Sequence, residues 1–377
     1  MNKNKIVFVI NEFTFFKSHR YSLITKLSKY HNIKIITDLI GSKAESLQIQ
    51  SEQNIEFTHL TKRKPSINPI KFLVFAVKLK KVIQSIDPDF VFFVSLENCL
   101  FGSIISKSLN SKKNFFLVTG MGTFLKANGI KKQIIKILHK FSYLKFLGTN
   151  HNFIFQNQDD QKEFTNFISS IKSSVIEGNG IDGSNFFYHK RFQDDCNRRI
   201  KFLFASKLQT EKGINEYIQA ALKLNDQDVN CSFSIAGKYD PFDKLSISSE
   251  EYAFLLEHPV LNYLGDINYL SMPATLMMHD IFVLPSFREG LPSAAIEAAA
   301  TGMPLILTDV PGCKSLINSS KNGFLVKPNC SQSIYKAMQK VIKNKNDLVK
   351  FGENSRKMVE ERFLIEKISN QYLKLLN

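Results

Sequence analysis

The fold of this chain is decided by the stretch FVLPSFREGLPSAAIEAAATG, residues 282–302. The apolar run 281–284 predicts a buried strand, and a polar loop follows at 286–290. Pro292 then takes the position that proline favours, the first of an alanine-rich helix. A strand, a loop and a helix start in this order place backbone N–H groups at the carboxyl edge of a sheet, where anionic ligands bind.

Two glutamates in this stretch are placed to hold a ligand at two points. Glu289 lies in the loop beside the helix start, and Glu297 lies about two turns into the helix, at ~3.6 residues per turn. One carboxylate can therefore reach the head of a ligand while the other holds a hydroxylated part further back. A phosphate flanked by polyols, as in a nucleotide-sugar, fits this spacing. The alternative is a solvated helix face, which the alanines around Glu297 disfavour.

Length and composition indicate a folded protein of two domains. A chain of 377 residues is long for one domain, and its 44% hydrophobic content supports a sizeable core. The five cysteines have no paired spacing, which indicates a reducing compartment and neither a disulfide framework nor a zinc site. The apolar runs at 6–10 and 72–77 are too short for a signal peptide or for a spanning helix of ~20 residues. We therefore expect a cytoplasmic protein.

The positive charge is concentrated in the first half of the chain. The net charge is +16; residues 1–185 contribute +13, from 26 basic and 13 acidic residues, and residues 186–377 contribute +3. A lysine bias from an AT-rich genome would load both halves alike, so the excess indicates an anionic partner. No nucleic-acid-binding signature accompanies it, and we expect a membrane surface rather than nucleic acid.

Segments 60–83 and 130–147 mix lysines with large apolar residues. On a helical projection of the second segment, one face carries Lys132, Lys136 and Lys140, and the other carries Ile134, Ile137, Leu138, Phe141 and Leu144. Two interpretations stay open. The apolar face packs on the core of an ordinary amphipathic helix, or the helix lies on an anionic leaflet, where each lysine contributes ~1 kcal/mol.

Strands and helices alternate along both halves, which predicts an α/β protein with parallel sheets covered on both faces. The predicted strands of the first half are 5–10, 33–37, 90–94, 114–118, 152–155 and 174–176. Those of the second half are 201–205, 232–236, 261–264 and 281–284. A linker within 178–199 separates two doubly wound domains, 1–185 and 186–362, and ligands are expected in the cleft between their strand ends.

Seven sequence blocks in order resemble a known enzyme family: FFKSHR (15–20), TGMG (119–122), FIFQNQDD (153–160), EGNGID (177–182), FLFASKLQTEKGINEYIQAA (202–221), the stretch 282–302, and NGFLVKP (322–328). They resemble the retaining glycosyltransferases of family four, which use nucleotide-sugars and have the two-domain GT-B fold. The resemblance implies that the last helix, about 363–377, crosses back onto the first domain. FFKSHR and TGMG look like the bacterial branch that builds surface polysaccharide on lipid carriers, which implies a UDP-linked donor and a lipid-linked saccharide acceptor at the inner membrane face.

Two lysines follow the strand 201–205 in the segment SKLQTEKG, at positions 207 and 212. Loops after parallel strands face the ligand cleft, so Lys207 and Lys212 can stabilise the charge that develops on a departing diphosphate. The family usually has arginine at the first position, and with Lys207 the bidentate contact of an arginine is lost.

The resemblance assigns the remaining donor-binding positions. Glu289 contacts hydroxyl groups of the transferred sugar, and Glu297 holds the nucleotide ribose. The backbone at Gly290 and Leu291 cradles phosphate, and Arg288 pairs with a phosphate or with Glu289. Gly237 and Gly265, each directly after a predicted strand, are assigned to donor binding as well.

In the first domain, His19 follows a Phe-rich loop after the first strand and is a candidate to orient the acceptor hydroxyl or a phosphate; a buried core histidine is the alternative. Gly120 and Gly122 permit close backbone approach to a sugar or phosphate, unless they form a plain turn. Relatives often have a basic residue where Glu97 stands, and a carboxylate there favours hydroxyl groups over phosphates.

No Asp-x-Asp motif lies in a suitable loop, since Asp87 and Asp89 precede a strand, and the sequence predicts transfer without a metal ion or another cofactor. Three rival functions stay open: a non-catalytic nucleotide-sugar-binding protein, a nucleic-acid-binding protein that would explain the basic first half, and an inverting GT-B transferase.

Overall fold

A computed structural model describes residues 3–61, 69–121, 130–169, 171–191, 198–227, 229–318 and 321–376, with the backbone alone at 69–70 and 130–132. The chain forms two compact units: unit 1 comprises Met1–Gly180 and Ile365–Asn377, and unit 2 comprises Ile181–Leu364. The division lies a few residues from the sequence-based estimate because Ile181 and Phe186 are buried in the core of unit 2.

Unit 1 is built on a parallel sheet. The strands in its described part are β1 (Lys5–Glu12), β2 (Asn32–Asp38), β3 (Ile55–His59), β4 (Phe90–Val94), β5 (Lys113–Val118), β6 (His151–Phe155) and β7 (Ser173–Val175). Their order across the sheet is β3-β2-β1-β4-β5-β6-β7. Successive residues of β1 enter different cores: Ile6 and Phe8 lie in one, and Val7 and Val9 lie in the other. This alternation shows that both faces of the sheet are covered, as the continuous apolar strands predicted.

The helices of unit 1 are α1 (Phe13–His19), α2 (Tyr21–Ser28), α3 (Lys43–Glu52), α4 (Pro69–Ile86), α5 (Leu96–Ile105), α6 (Ile130–Phe146), α7 (Gln158–Phe167) and, from the end of the chain, α14 (Ile365–Leu376). Ile368 and Tyr372 of α14 are buried in the same core as Leu23 and Ile24 of α2. The prediction that the last helix returns to the first domain is therefore confirmed.

Unit 2 repeats the design. Its described residues form the strands β8 (Ile200–Ala205), β9 (Cys231–Ala236), β10 (Leu261–Gly265), β11 (Ile281–Leu284), β12 (Leu305–Thr308) and β13 (Gly323–Val326). Its helices are α8 (Ile214–Asn225), α9 (Ser249–Glu257), α10 (Met272–Met277), α11 (Ser293–Ala300), α12 (Ser331–Lys343) and α13 (Leu348–Arg362). The strand order is β10-β9-β8-β11-β12-β13, with every pairing parallel.

The winding of each sheet reverses between two central strands, β1 and β4 in unit 1 and β8 and β11 in unit 2. At such a reversal the loops that leave the two strands diverge and open a crevice at the carboxyl edge of the sheet. The doubly wound prediction is thus confirmed, and unit 2 has its reversal where the sequence analysis put its main candidate residues.

Three local predictions were wrong. The segment around FFKSHR is a helix, α1, rather than a loop, because Phe13 and Phe16 are drawn into the core on one helical face. The strands β3, β12 and β13 were missed. Pro292 was predicted as the first helical residue, but its backbone is extended (φ −75°, ψ 107°) and it is the N-cap residue of α11, which begins at Ser293.

Candidate functional site

An ion pair lies at the reversal point of unit 2. Lys212 follows β8 and Glu289 follows β11, and these strands are neighbours. Lys212 Nζ lies 2.7 Å from Glu289 Oε1, and the two side chains are only 20% and 13% exposed. Sequence analysis assigned the two residues to different parts of a ligand, the diphosphate and the sugar. The structure brings them into direct contact, so a single ligand group near this pair meets both charges.

A glycine fixes the lysine side of the pair. A short 3-10 turn, Thr210–Lys212, ends at Gly213, which has a left-handed φ of +76°. A Cβ at Gly213 would lie 2.8 Å from Pro285 C and closer still to Pro285 O, so only glycine permits this approach. The backbone N–H of Phe287 also donates to Glu211 O at 2.8 Å. The lysine turn and the glutamate loop are therefore packed backbone to backbone.

A second glycine closes the glutamate loop from the other side. Gly312, in the loop after β12, has a φ of +83°, and a Cβ there would lie 2.8 Å from Glu289 O and closer still to Gly290 O. Sequence analysis missed this residue, although the Pro311-Gly312 dipeptide is a turn signal. With glycines on both sides, the backbone that carries Glu289 has little freedom to move.

A hydroxyl group completes the surroundings of Glu289. Ser286 Oγ donates a hydrogen bond of 2.8 Å to Glu289 Oε1, the same oxygen that Lys212 contacts. Ser286 is fully buried, and its carbonyl oxygen accepts a hydrogen bond from Thr308 Oγ1 at the end of β12. Sequence analysis treated Ser286 only as the start of the loop.

Helix α11 begins beside this loop with unused backbone donors. Among the described residues, no acceptor takes the N–H groups of Ser293 and Ala294, as expected in the first turn of a helix. At the other end, Arg356 Nη1 donates to Ala300 O at 2.9 Å, and Arg191 donates to Thr301 O. The free N–H groups and the positive end of the helix dipole favour an anion at the helix start, and the two arginines stabilise the carbonyl end.

Glu297 is the fifth residue of α11, little more than one turn from the helix start, and not two turns as predicted. No described residue hydrogen bonds to its carboxylate. The residue is 8% exposed, and burial raises the pKa of the Glu297 carboxyl to about 7. A buried carboxylate without a partner is stabilised when a ligand supplies hydroxyl donors.

The three other predicted residues of this edge lie after neighbouring strands. Lys207 is exposed and makes no ion pair with a described residue, so the structure does not bring it to Glu289. Gly237 donates its N–H to Gly265 O at 2.8 Å, and a Cβ at Gly237 would lie 2.8 Å from Ser206 C. Gly265 has a φ of +78° and open space where a side chain would be. The roles assigned to these three residues stay predictions.

The rest of the glutamate loop is in place around the pair. Arg288 and Gly290 are half-buried and Leu291 is buried, 8% exposed. The role of the Gly290 and Leu291 backbone as a phosphate cradle stays a prediction. The predicted contact of Arg288 with a phosphate or with Glu289 stays a prediction.

In unit 1, His19 is exposed at the end of α1 and is not a buried core histidine. Its ring stacks on Phe15 with centroids 4.7 Å apart, and its Nδ1 lies 2.6 Å from Ser18 Oγ. Its predicted role toward an acceptor stays open. The neighbouring Arg20 is buried, 1% exposed, and burial lowers the pKa of its guanidinium, an effect that Tyr372 opposes.

A polar contact also lies at the reversal point of unit 1. Asn11 Nδ2, on β1, approaches Glu97 Oε2 at 3.5 Å, and Glu97 lies in the first turn of α5. Ser95, just before that helix, has a left-handed φ of 87°, a strained conformation for a non-glycine residue. Gly120 follows β5, whereas Gly122 lies outside the described residues.

Helix α6 is oriented with its apolar face outward. Phe141 is 56% exposed, and the other residues of the predicted apolar face are exposed as well: Ile134, Ile137, Leu138 and Leu144. The buried side carries His139, Ser142 and Tyr143 instead. The interpretation that the apolar face packs on the core is therefore wrong; Lys132 lies outside the described side chains. Among the described helices, none has the length and apolar character needed to cross a bilayer.

Known families match nearly the whole chain. The family described as Glycosyl transferases group 1 matches residues 189–358, and the family described as Glycosyl transferase 4-like matches residues 5–155. The chain belongs to the GT-B glycosyltransferases. Solved structures agree on this fold: HepE of Anabaena, solved in complex with UDP, has a TM-score of 0.77 at 16% identity, with 99% of each chain covered. Sucrose-phosphate synthase of Thermosynechococcus elongatus has a TM-score of 0.81 at 15% identity, covering 99% of this chain and 98% of that one.

Two named relatives of this glycosyltransferase are named for diphospho-undecaprenol-linked sugars, and a third is named for capsular polysaccharide biosynthesis. The N,N'-diacetylbacillosaminyl-diphospho-undecaprenol alpha-1,3-N-acetylgalactosaminyltransferase of Campylobacter jejuni is 25% identical over 302 residues, 77% of each chain. The UDP-Gal:alpha-D-GlcNAc-diphosphoundecaprenol alpha-1,3-galactosyltransferase of Escherichia coli is 24% identical over 329 residues, 82% of each chain. A capsular polysaccharide biosynthesis glycosyltransferase of Staphylococcus aureus is 24% identical over 265 residues, 65% of this chain and 67% of the relative.

Proposed function

We propose that this glycosyltransferase moves a sugar, with retention, from a UDP-linked donor to a lipid-linked saccharide in the assembly of O-antigen or capsule. The observation that carries the proposal is the Lys212–Glu289 pair, 2.7 Å apart, beside the unused N–H groups at the start of α11. An ammonium group and a helix start attract phosphate, and the carboxylate next to them attracts hydroxyl groups. A sugar joined to a diphosphate supplies both.

The reaction breaks the bond between the anomeric carbon and the diphosphate oxygen, and negative charge develops on that oxygen. The Lys212 ammonium and the N–H groups of α11 stabilise this charge more strongly in the transition state than in the ground state. Glu289 accepts a hydrogen bond from a hydroxyl of the transferred sugar. Glu297 accepts hydrogen bonds from the ribose hydroxyls, which supply the partner that its buried carboxylate lacks.

Retention follows when the acceptor oxygen attacks from the side on which the diphosphate leaves. The new bond then forms on the same face, and the acceptor proton passes to the departing phosphate oxygen. The names of the Campylobacter and Escherichia relatives both specify an alpha-1,3 linkage, and the second specifies UDP-Gal as donor. In this scheme Lys212 and the helix start supply the positive charge, and no metal ion is required.

A donor screen tests the proposal. The purified chain is incubated with a panel of UDP-sugars and undecaprenyl-diphosphate-linked GlcNAc, with and without EDTA, and UDP release and product configuration are measured. We expect one preferred donor, an axial product bond from an axial donor bond, and no effect of EDTA. UDP binding without release would favour the nucleotide-sugar-binding alternative, and an inverted product would favour the inverting transferase.

We further propose that unit 1 binds the anionic inner face of the cytoplasmic membrane through α6. The exposed apolar residues of this helix are accompanied by Lys136, Lys140 and Lys145, and the first half of the chain carries a net charge of +13. The Campylobacter and Escherichia relatives are named for acceptors on diphospho-undecaprenol, a lipid carrier. A helix with an apolar stripe flanked by lysines lies in the plane of an anionic interface.

Co-sedimentation with vesicles tests this proposal. We expect the chain to bind vesicles that contain phosphatidylglycerol and not vesicles of phosphatidylcholine alone. Replacing Ile137 and Phe141 with serine should reduce the bound fraction about tenfold. Leu270→Ser, at an 84% exposed position of unit 2, is the matched control and should bind as wild type does. Equal binding by all three proteins would exclude α6 as the contact.

A further inference from the structure

The carboxylate of Glu289 is held by one of its two oxygens. Oε1 accepts from Lys212 Nζ at 2.7 Å and from Ser286 Oγ at 2.8 Å, and no described residue hydrogen bonds to Oε2. The two oxygens therefore differ: the protein holds Oε1, and Oε2 is left for a ligand. A carboxylate with both oxygens free would rotate between several orientations.

Ser286 is itself held by rigid elements. It follows the end of β11 by two residues, it is fully buried, and its carbonyl oxygen accepts from Thr308 Oγ1 on the neighbouring strand β12. The preceding residue, Pro285, is in close contact with Gly213. A hydroxyl that is placed by two adjacent strands has a more constant position than one carried by a free loop.

The lysine alone is a poor anchor for the carboxylate. Its ammonium sits on a flexible stem, and in the proposed reaction it must also contact the departing diphosphate. When a phosphate attracts the ammonium, the Ser286 hydroxyl still donates to Oε1. The Ser-x-x-Glu spacing puts both side chains in one short loop, so this hydrogen bond is made within the loop and needs no ligand.

We propose that Ser286 is a positioning residue, which orients Glu289 so that its Oε2 meets a hydroxyl of the transferred sugar. The inference rests on the proposed function, because it concerns how the sugar is recognised at the same site. Ser286 acts only through Glu289 and does not touch the substrate. Thr308 supports Ser286 in turn.

A double-mutant cycle tests the proposal. Ser286→Ala should lower kcat about tenfold, the effect of losing one hydrogen bond to a charged group, and should change the donor KM less than threefold. In a Glu289→Ala background the same change should have no further effect on kcat. Ser286→Thr, which keeps the hydroxyl, should recover most of the activity. Equal losses in both backgrounds would overturn the proposal, because they would show a role that does not pass through Glu289.

Two further measurements separate this proposal from a folding defect and from failure of the proposed function. Ser355→Ala removes another fully buried serine hydroxyl of unit 2 and should lower Tm without changing the donor kcat. The Tm values of the Ser286 and Glu289 variants and of their double variant test the contact without a substrate. We expect the losses in Tm to be less than additive, and additive losses would overturn the contact. Absence of turnover with any UDP-sugar would instead overturn the proposed function.

Discussion

Units 1 and 2 share a doubly wound parallel sheet but use different surfaces. At the reversal point of unit 2, Gly213 and Gly312 fix the loop that carries Glu289 from both sides. Lys212 Nζ and Glu289 Oε1 form a mostly buried ion pair there, 2.7 Å apart. At the reversal point of unit 1, the corresponding polar contact, Asn11 to Glu97, is 3.5 Å long. Unit 1 instead exposes apolar side chains along α6. Unit 2 thus places buried charge at its reversal point, whereas unit 1 exposes an apolar helix face.

The largest effect should come from the ion pair of unit 2. Lys212→Ala removes the ammonium that we propose stabilises the departing diphosphate, and kcat should fall about 100-fold to 1000-fold. Glu297→Ala should instead raise the UDP dissociation constant, with a smaller change in kcat. Steady-state kinetics and calorimetric titration with UDP check both variants. If both variants change kcat and the UDP dissociation constant equally and mildly, the Lys212–Glu289 pair is not the centre of the site.

The buried carboxylate of unit 2 predicts a pH-dependent stability. The Glu297 pKa is about 7 in the folded chain and has an ordinary value of 4.5, so burial favours the protonated form. The stability that protonated Glu297 contributes to the folded chain is fully present below about pH 4.5 and is lost as the pH rises through 7. Glu297→Gln cannot ionise, so its free energy of unfolding relative to wild type should rise by up to about 3 kcal/mol between pH 4 and pH 8. Denaturant unfolding at both pH values checks this, and a constant difference would contradict it.

Much of this design was predictable because parallel strands covered on both faces are continuous apolar runs. The run 281–284 is accordingly a buried strand, β11, as predicted. Edge strand β3 was missed because only its first residue, Ile55, is buried, and a strand with such weak apolar character has little pattern. Ser286 and Gly312 were missed for another reason. Their roles depend on contacts with loops and strands distant in sequence, which no local pattern contains.

The orientation of α6 shows a second limit of sequence analysis. Periodicity separated an apolar face from a lysine face but did not show which of them meets the core. The structure buries a third set of residues, His139, Ser142 and Tyr143, and leaves the apolar face exposed. Ser142 is hydrogen bonded to Ser103 of α5, and His139 Nδ1 lies 2.9 Å from Tyr143 Oη. The partner of Ser142 lies on another helix, so the sequence of α6 alone did not predict that this polar face is buried.

Alanine substitutions at two glycines of unit 2 test how tightly the loop that carries Glu289 is packed. Gly312 and Gly265 have similar φ values, +83° and +78°, but only Gly312 meets backbone where a Cβ would stand. Both alanine variants carry the strain of a left-handed residue, about 1–2 kcal/mol. Gly312→Ala adds overpacking, so its free energy of unfolding should be lower than that of Gly265→Ala by about 1–3 kcal/mol. Denaturant titration checks the difference, and equal losses would mean that the loop yields easily.

The smallest effect should come from the outward face of α6. Phe141 is 56% exposed, and Tyr143, two residues along, is 2% exposed. Because Phe141 buries little apolar surface in the folded chain, Phe141→Ser should change the free energy of unfolding by less than about 0.5 kcal/mol. Tyr143→Ala removes a buried aromatic ring and should cost about 3–5 kcal/mol, close to the value for other buried rings. A large loss of stability in Phe141→Ser would mean that this face is packed in the folded chain, and the contrast between the two units would then no longer hold.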